Sequence, residues 1–271
     1  MVQGIEFKKI DQIDGYELKK VFLSVGDHIG LITLHNPPVN AADGIVQDEI
    51  LRLCEFIAKQ EDIWVCIMHS DIKTFCVGVD VNRFKQSVID RNVSDVQEVF
   101  YDGALALYEL PVPLICAVHG HCLGGGLCYP AGSDITIAAE GTLFGAPEVK
   151  LGVTGGSGHL SRILPPMIMR DMAYCGSFMK AEDLAVYGGV TMVVPQEELM
   201  AVAVAKAKEL CAKGPLILRE LKSCMNAQED FQMYRKNHIE ILHTRYMSSS
   251  EDFVEALDAF LEKREPQLKG R

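Results

Sequence analysis

Residues 114–126 read Leu-Ile-Cys-Ala-Val-His-Gly-His-Cys-Leu-Gly-Gly-Gly. Two prolines, Pro111 and Pro113, introduce an apolar run, so residues 112–118 read as a short buried strand. Gly124, Gly125 and Gly126 then precede the apolar Leu127, an arrangement that can open a helix with its first N–H groups bare. Bare N–H groups at a helix start attract negative charge, and missing side chains let a ligand come close to the backbone. No Gly-Lys-Ser/Thr follows, and Gly-x-Gly-x-x-Gly does not occur here, so neither a P-loop nor a dinucleotide fingerprint fits. Three glycines alone are equally well a close-packed turn.

Outward from this segment the first half alternates strands and helices. Residues 21–25 and 29–34 predict a hairpin joined by Gly26-Asp27-His28. Asp43 is placed to cap a helix reaching about Lys59, with Ile45, Ile50, Leu53 and Ile57 near one face. Residues 63–68 and 135–139 read as strands, and 96–110 as a helix. Strands separated by helices with short connections predict an α/β core of repeated ββα units. Beyond about residue 160 the pattern turns helical, with spans at 181–187, 196–213, 215–227, 230–247 and 251–263 and a single strand at 190–194. The expected division is a core over 1–200 carrying the site and a helical region over 201–271.

Two further glycine-centred segments flank the first. One is Phe75-Cys76-Val77-Gly78-Val79-Asp80-Val81; the other is Phe144-Gly145-Ala146-Pro147-Glu148-Val149-Lys150-Leu151-Gly152, continued by Thr154-Gly155-Gly156-Ser157-Gly158. In this order and spacing the three segments resemble the crotonase (enoyl-CoA hydratase/isomerase) superfamily. The resemblance begins at Ile32-Thr-Leu-His-Asn-Pro-Pro-Val-Asn-Ala-Ala and ends at Phe260-Leu-Glu-Lys-Arg-Glu-Pro-Gln-Leu-Lys-Gly-Arg. It implies a crotonase-like spiral with a C-terminal helical region, and a coenzyme A thioester as substrate.

The resemblance also implies roles. The N–H groups of Val79 and Gly125 would grip the thioester oxygen, and loss of one such donor costs ~10²–10³ in rate. Of two glutamates typical of family hydratases, the second matches Glu148; the first falls at Cys128. This leans the chemistry toward isomerase-like or lyase-like proton transfer on an enoyl-CoA by one carboxylate, while the wider resemblance leaves hydration open. Acyl-thioester decarboxylation or hydrolysis, and a non-catalytic acyl-CoA-binding role, are the alternatives. For Glu148 the plain alternative is a surface carboxylate paired with Lys150; for Cys128, a small packing residue in place of a reactive thiolate. His159 is a possible second acid or base, with a capping or surface histidine equally consistent. His119 and His121 read as lining or structural groups, Asp134 as structural, and Asp80 as bonded within its loop. Coenzyme A is expected along Asn40, Ala41, Ala42, Cys76, Gly78, Val79, Asp80, Val81, Gly124 and Gly125. Phe260 and Lys263 match residues that, in the family, reach the nucleotide end from a neighbouring subunit. Residues 84–101, with Val88, Val93, Val96 and Phe100, are expected to wall the acyl pocket.

Composition bounds the rest. The chain has 271 residues, 48% of them hydrophobic, and a net charge of −11, which excludes a broadly basic nucleic-acid-binding surface. No apolar run approaches the ~20 residues of a membrane helix, and the polar N-terminus resembles neither a secretory signal nor a transit peptide. The cytoplasm is the expected location. Nine cysteines, an odd number without a Cys-x-x-Cys pair, read as reduced thiols packed as small hydrophobes, with no metal site. No resident cofactor is expected, coenzyme A entering as part of the substrate, and the resemblance implies a homotrimer or dimer of trimers.

Overall fold

The computed structural model describes residues 4–90, 93–229 and 233–270. The strands in chain order are β1 (Lys8–Ile10), β2 (Gln12–Ile13), β3 (Tyr16–Glu17), β4 (Val21–Gly26), β5 (Ile29–Leu34), β6 (Val65–Ser70), β7 (Leu114–Val118), β8 (His121–Leu123), β9 (Ile135–Ala139), β10 (Leu143–Gly145), β11 (Phe178–Lys180) and β12 (Met192–Val194). The helices are α1 (Gly44–Ala58), α2 (Val81–Ile89), α3 (Val93–Glu109), α4 (Cys128–Gly132), α5 (Ser157–Ile163), α6 (Pro166–Cys175), α7 (Ala181–Val186), α8 (Leu199–Cys211), α9 (Pro215–Gln228), α10 (Met233–Met247) and α11 (Glu251–Glu262).

The main sheet has the order β1-β4-β5-β6-β7-β9-β12, parallel from β5 onward. A parallel sheet is covered on both faces, so its strands read as continuous apolar runs. One face sends Cys66, Met68, Leu114, Cys116 and Val118 into a core shared with Ile50 and Leu53 of α1 and Ala104 and Leu107 of α3. The other face sends Val65, Ile67, Ile115 and Ala117 against Ala203, Val204 and Ala207 of α8. The β4–β5 hairpin closes through Asp27 and His28, both at positive φ (47° and 65°), the twist that a two-residue primed turn requires. Asp43 caps α1 as expected, its carboxylate accepting from the N–H groups of Ile45 and Val46.

After each of these inner strands the chain makes a short second-layer step and then a helix. Ala42 follows β5, Cys76 and Val79 follow β6, β8 follows β7, and β10 follows β9. The second-layer steps pair in parallel from one turn to the next: Ala42 with Val79, Cys76 with Cys122, and β8 with β10. The chain therefore winds as a spiral of ββα turns.

Several boundaries differ from the sequence reading. The second half carries β11 as well as β12, because β11 is a three-residue strand defined only by antiparallel pairing with β10. The strand expected at 63–68 runs Val65–Ser70, set by its register with β5, where Thr33 Oγ1 meets His69 Nε2 at 2.9 Å. Of the helix expected at 230–247, residues 230–232 lie outside the described residues, as do the side chains of Val88, Val93 and Val96. Lys222 of α9 is buried and donates to Val112 O and to Asp134 Oδ2 (3.1 and 2.8 Å), tying α9 to the sheet; Asp134 is structural. Among the described residues no helix is long and apolar enough to cross a membrane.

Candidate active site

A cleft of about 690 Å³ opens where the second-layer steps meet α2, α3 and α11. Val79 and Gly125 both line it. In the parallel bridge between Ala42 and Val79, Ala42 N–H donates to Gly78 O (2.7 Å) and Asp80 N–H donates to Ala42 O (3.2 Å). Those bonds use the neighbours of Val79, so its own N–H points away from Ala42. Gly125 is the second residue of the 3₁₀ turn Gly124–Leu127, too early for an acceptor within the turn. Neither N–H donates to another backbone group among the described residues.

Gly78 shows how close the two segments come. It has φ 92°, and a Cβ on it would lie 2.8 Å from Gly125 N and 2.9 Å from Leu123 O. Val79 N is one peptide bond from Gly78 Cα, so the two N–H groups flank the bare Cα. Only glycine fits both the left-handed backbone and the contact.

Glu148 sits on the 3₁₀ turn Pro147–Leu151. Its Oε1 is clasped by Gly124 and Gly156, where an added Cβ would in each case lie 3.1 Å away. Its Oε2 is buried and has no hydrogen-bond partner. The residue as a whole is half-buried, but its carboxyl is enclosed, and this burial pushes its pKa up to about 8. Its own backbone N–H works against that rise, and the nearby Glu240 charge adds to it. Lys150 lies over the Phe178 ring at 5.3 Å, and Glu148 has no ion pair among the described residues.

Cys128 begins α4, is buried and lines the cleft. Burial, then the charges of Glu240 and Glu148, hold its thiol well above the ordinary range, so it is a neutral thiol. His159 is fully buried outside the cleft lining, its ring stacked on Tyr101 (5.6 Å between centroids, 11° between planes). Burial lowers its pKa to about 4, so it is neutral at physiological pH. A reach into the acyl pocket is therefore not what the fold provides for it.

The remaining expected residues divide into lining and framework. Ala41, Gly78, Asp80, Val81 and Gly124 line the cleft with Val79 and Gly125. Asn40, Ala42 and Cys76 stand behind it. Asn40, at φ 51°, donates from its amide to Ser70 Oγ, Thr74 O and Phe75 O; Cys76 donates to Asn40 O, and burial pushes its thiol up to about 12. Asp80 caps α2, accepting from Asn82 and Arg83 N–H. His119 bonds Ile72 O, and His121 is exposed. Phe260 of α11 lines the cleft of its own chain; Lys263, just past α11, is exposed and outside the lining.

Sequence reading missed Glu240 and gave no individual role to Tyr101, at the end of the expected pocket wall 84–101, or to Gly156 of the third glycine segment. Tyr101 of α3 lines the cleft and donates to Glu240 Oε2 at 2.6 Å. Glu240 is a buried carboxylate on α10 that also accepts from the N–H groups of Gly156 and Gly158 and from Ser157 Oγ. No motif marks Glu240; it is one acidic residue in a helix rich in polar ones.

The spiral of ββα turns is shared with solved enoyl-CoA hydratases. A probable enoyl-CoA hydratase from Mycobacterium thermoresistibile matches with a TM-score of 0.77 and 28% identity, covering 84% of this chain and 94% of that one. The chain belongs to the enoyl-CoA hydratase/isomerase family, whose sequence model matches residues 25–271. Curated relatives carry different activities. A carnitinyl-CoA dehydratase from Salmonella heidelberg is 36% identical over 254 residues, covering 89% of this chain and 94% of the relative. A (7aS)-7a-methyl-1,5-dioxo-2,3,5,6,7,7a-hexahydro-1H-indene-carboxyl-CoA hydrolase from Rhodococcus jostii is 28% identical over 242 residues, with the same two coverages.

Proposed function

We propose that the protein is an enzyme that moves a proton at the carbon beside the carbonyl of an acyl-CoA thioester, with Glu148 as its single acid/base. The observation that carries this reading is the enclosed Glu148 carboxyl with its unpartnered Oε2, beside the Gly124–Gly125 turn. Glu148 as carboxylate takes the α-proton; the C–H electron pair moves into the carbonyl, and the enolate oxygen rests on the N–H groups of Val79 and Gly125. The protonated Glu148 then returns its proton to the γ-carbon, shifting a double bond, or to a hydroxyl on the β-carbon, releasing water. A carboxyl pushed up to about 8 suits both directions near neutral pH. Phe84, Phe100, Leu151 and Val153 supply an apolar wall for the acyl group. No resident cofactor takes part, coenzyme A entering with the substrate. The relatives named as acting on coenzyme A thioesters support the substrate class.

The test is deuterium uptake from heavy water into butyryl-CoA and crotonyl-CoA, read by mass spectrometry. Glu148→Gln should slow exchange by ~10²–10⁴-fold, the usual contribution of a general acid/base. Near-normal exchange in that variant refutes the assignment. Release of free coenzyme A thiol in place of exchange would point to hydrolysis.

A further inference from the structure

We propose that Glu240 of α10 is a positioning residue for Glu148: its carboxylate takes up the donors of residues 156–158 and of Tyr101, and so leaves the Glu148 carboxyl enclosed beside them with no partner for Oε2. This role rests on the proton-transfer reading above. Glu240 Oε1 accepts from Ser157 Oγ and Gly158 N–H, both at 2.5 Å, and Oε2 accepts from Tyr101 Oη at 2.6 Å and Gly156 N–H at 3.2 Å. Two backbone N–H groups and two hydroxyls thus converge on one buried carboxylate, which as an ionised group can only accept.

Gly156 stands between the two carboxyls. Its N–H donates to Glu240, while a Cβ on it would lie 3.1 Å from Glu148 Oε1 and 3.8 Å from Oε2. One short stretch of backbone is therefore anchored by one carboxylate and packed against the other. Among the described residues, Glu148 is met by its own backbone N–H and by no other donor. Four donors favour charge on one carboxyl; burial without a partner for Oε2, close to that charge, favours a proton on the other. The other titratable groups around the pair do not supply this contrast. Burial keeps the Tyr101 phenol of α3 and the Cys128 thiol of α4 protonated and the His159 ring of α5 neutral, and Lys236 of α10 donates to Ser161 Oγ at 2.9 Å.

The experiment titrates Glu148 directly. The protein is made with glutamate isotope-labelled at the side-chain carboxyl, the Glu148 resonance is assigned by its loss in Glu148→Gln, and its midpoint is followed by NMR from pH 5 to 9. In the parent the midpoint should lie at about 8. In Glu240→Gln the like charge is gone and the single amide oxygen serves only part of the cluster. The midpoint should then fall by at least ~1 unit, the size of one charge-assisted hydrogen bond or one nearby like charge. Glu240→Asp keeps the charge and shortens the reach, so the 3.2 Å bond to Gly156, the longest of the four, is the first to go. It should give a smaller fall, and it serves as the test if the Gln variant does not fold. Ser157→Ala removes one donor from Glu240 but leaves its charge and its bonds to Gly156 and Tyr101, so the midpoint should stay at about 8. A midpoint unmoved in a folded Glu240 variant, or an equal fall in Ser157→Ala, overturns the proposal, because loosening of α5 alone would then account for the result. The pH profile of α-proton exchange into butyryl-CoA should shift in Glu240→Gln by the same amount as the resonance. A resonance that shifts while the profile stays in place would instead refute the proton-transfer reading, and the effect of Glu240 on Glu148 would stand.

Discussion

Replacing Glu148 by Gln should stabilise the protein above neutral pH, although it removes the proposed acid/base. The carboxyl has a pKa of about 8 in the folded chain against an ordinary 4.5. A group raised on folding contributes stability that is fully present below its unfolded pKa and is lost as pH rises through its folded pKa. For Glu148 that window runs from 4.5 to about 8. Each pH unit is worth ~1.4 kcal/mol, so about 3.5 units amount to on the order of 5 kcal/mol. Water in the open cleft solvates part of the charge, so ~2–5 kcal/mol is the expected range. Gln cannot ionise and loses nothing across this window, while every other carboxyl is common to both proteins and cancels. The assay is urea denaturation of both proteins from pH 5 to 9 at one protein concentration. The stability difference, variant minus parent, should grow in favour of Gln up to about pH 8 and then level off. A difference independent of pH would refute the enclosed, uncompensated carboxyl. The same group acting as base makes kcat/KM rise with pH and level off above about 8.

Gly78→Ala places a Cβ 2.8 Å from Gly125 N on a backbone at φ 92°. Turnover should fall at least ~10²–10³-fold, and the stability loss should exceed the ~1–2 kcal/mol of the left-handed backbone alone, because both atoms met are backbone; a fully active variant would remove Gly78 from the oxyanion site. Alkylation with iodoacetamide at pH 8 should label the exposed Cys175 and Cys224 in the folded protein and leave Cys128 unlabelled until unfolding, as peptide mass spectrometry will show. Rapid labelling of Cys128 would mean a reactive thiolate. Leu216, Tyr234 and Tyr246 expose 75%, 74% and 76% of their surface on α9 and α10, which fits burial between copies of the chain. Light scattering at micromolar concentration should give three or six times the 29.9 kDa chain mass, and a monomer would count against it.

Much of the architecture follows from local order in the chain. Apolar runs such as Leu114–Val118 are long enough to be strands buried on both faces, and Asp43 has the geometry to cap its own helix two and three residues on. Val79, Gly125 and Glu148 could be singled out through the family resemblance, which is carried by three short contiguous glycine-centred motifs. The second-layer strands β8, β10 and β11 were invisible, since three residues carry no periodicity and only pairing across 20 or more positions defines them. Glu148 as a surface carboxylate paired with Lys150, or as an enclosed one near pKa 8, was likewise undecided by sequence, because solvation depends on what the fold brings around it. Tyr101 and Glu240 are 139 residues apart, and neither sits in a motif. Their hydrogen bond exists only because α10 returns to pack on α3 and α5. What local chemistry encodes can be read along the chain; desolvation and long-range pairing are decided by the packed structure alone.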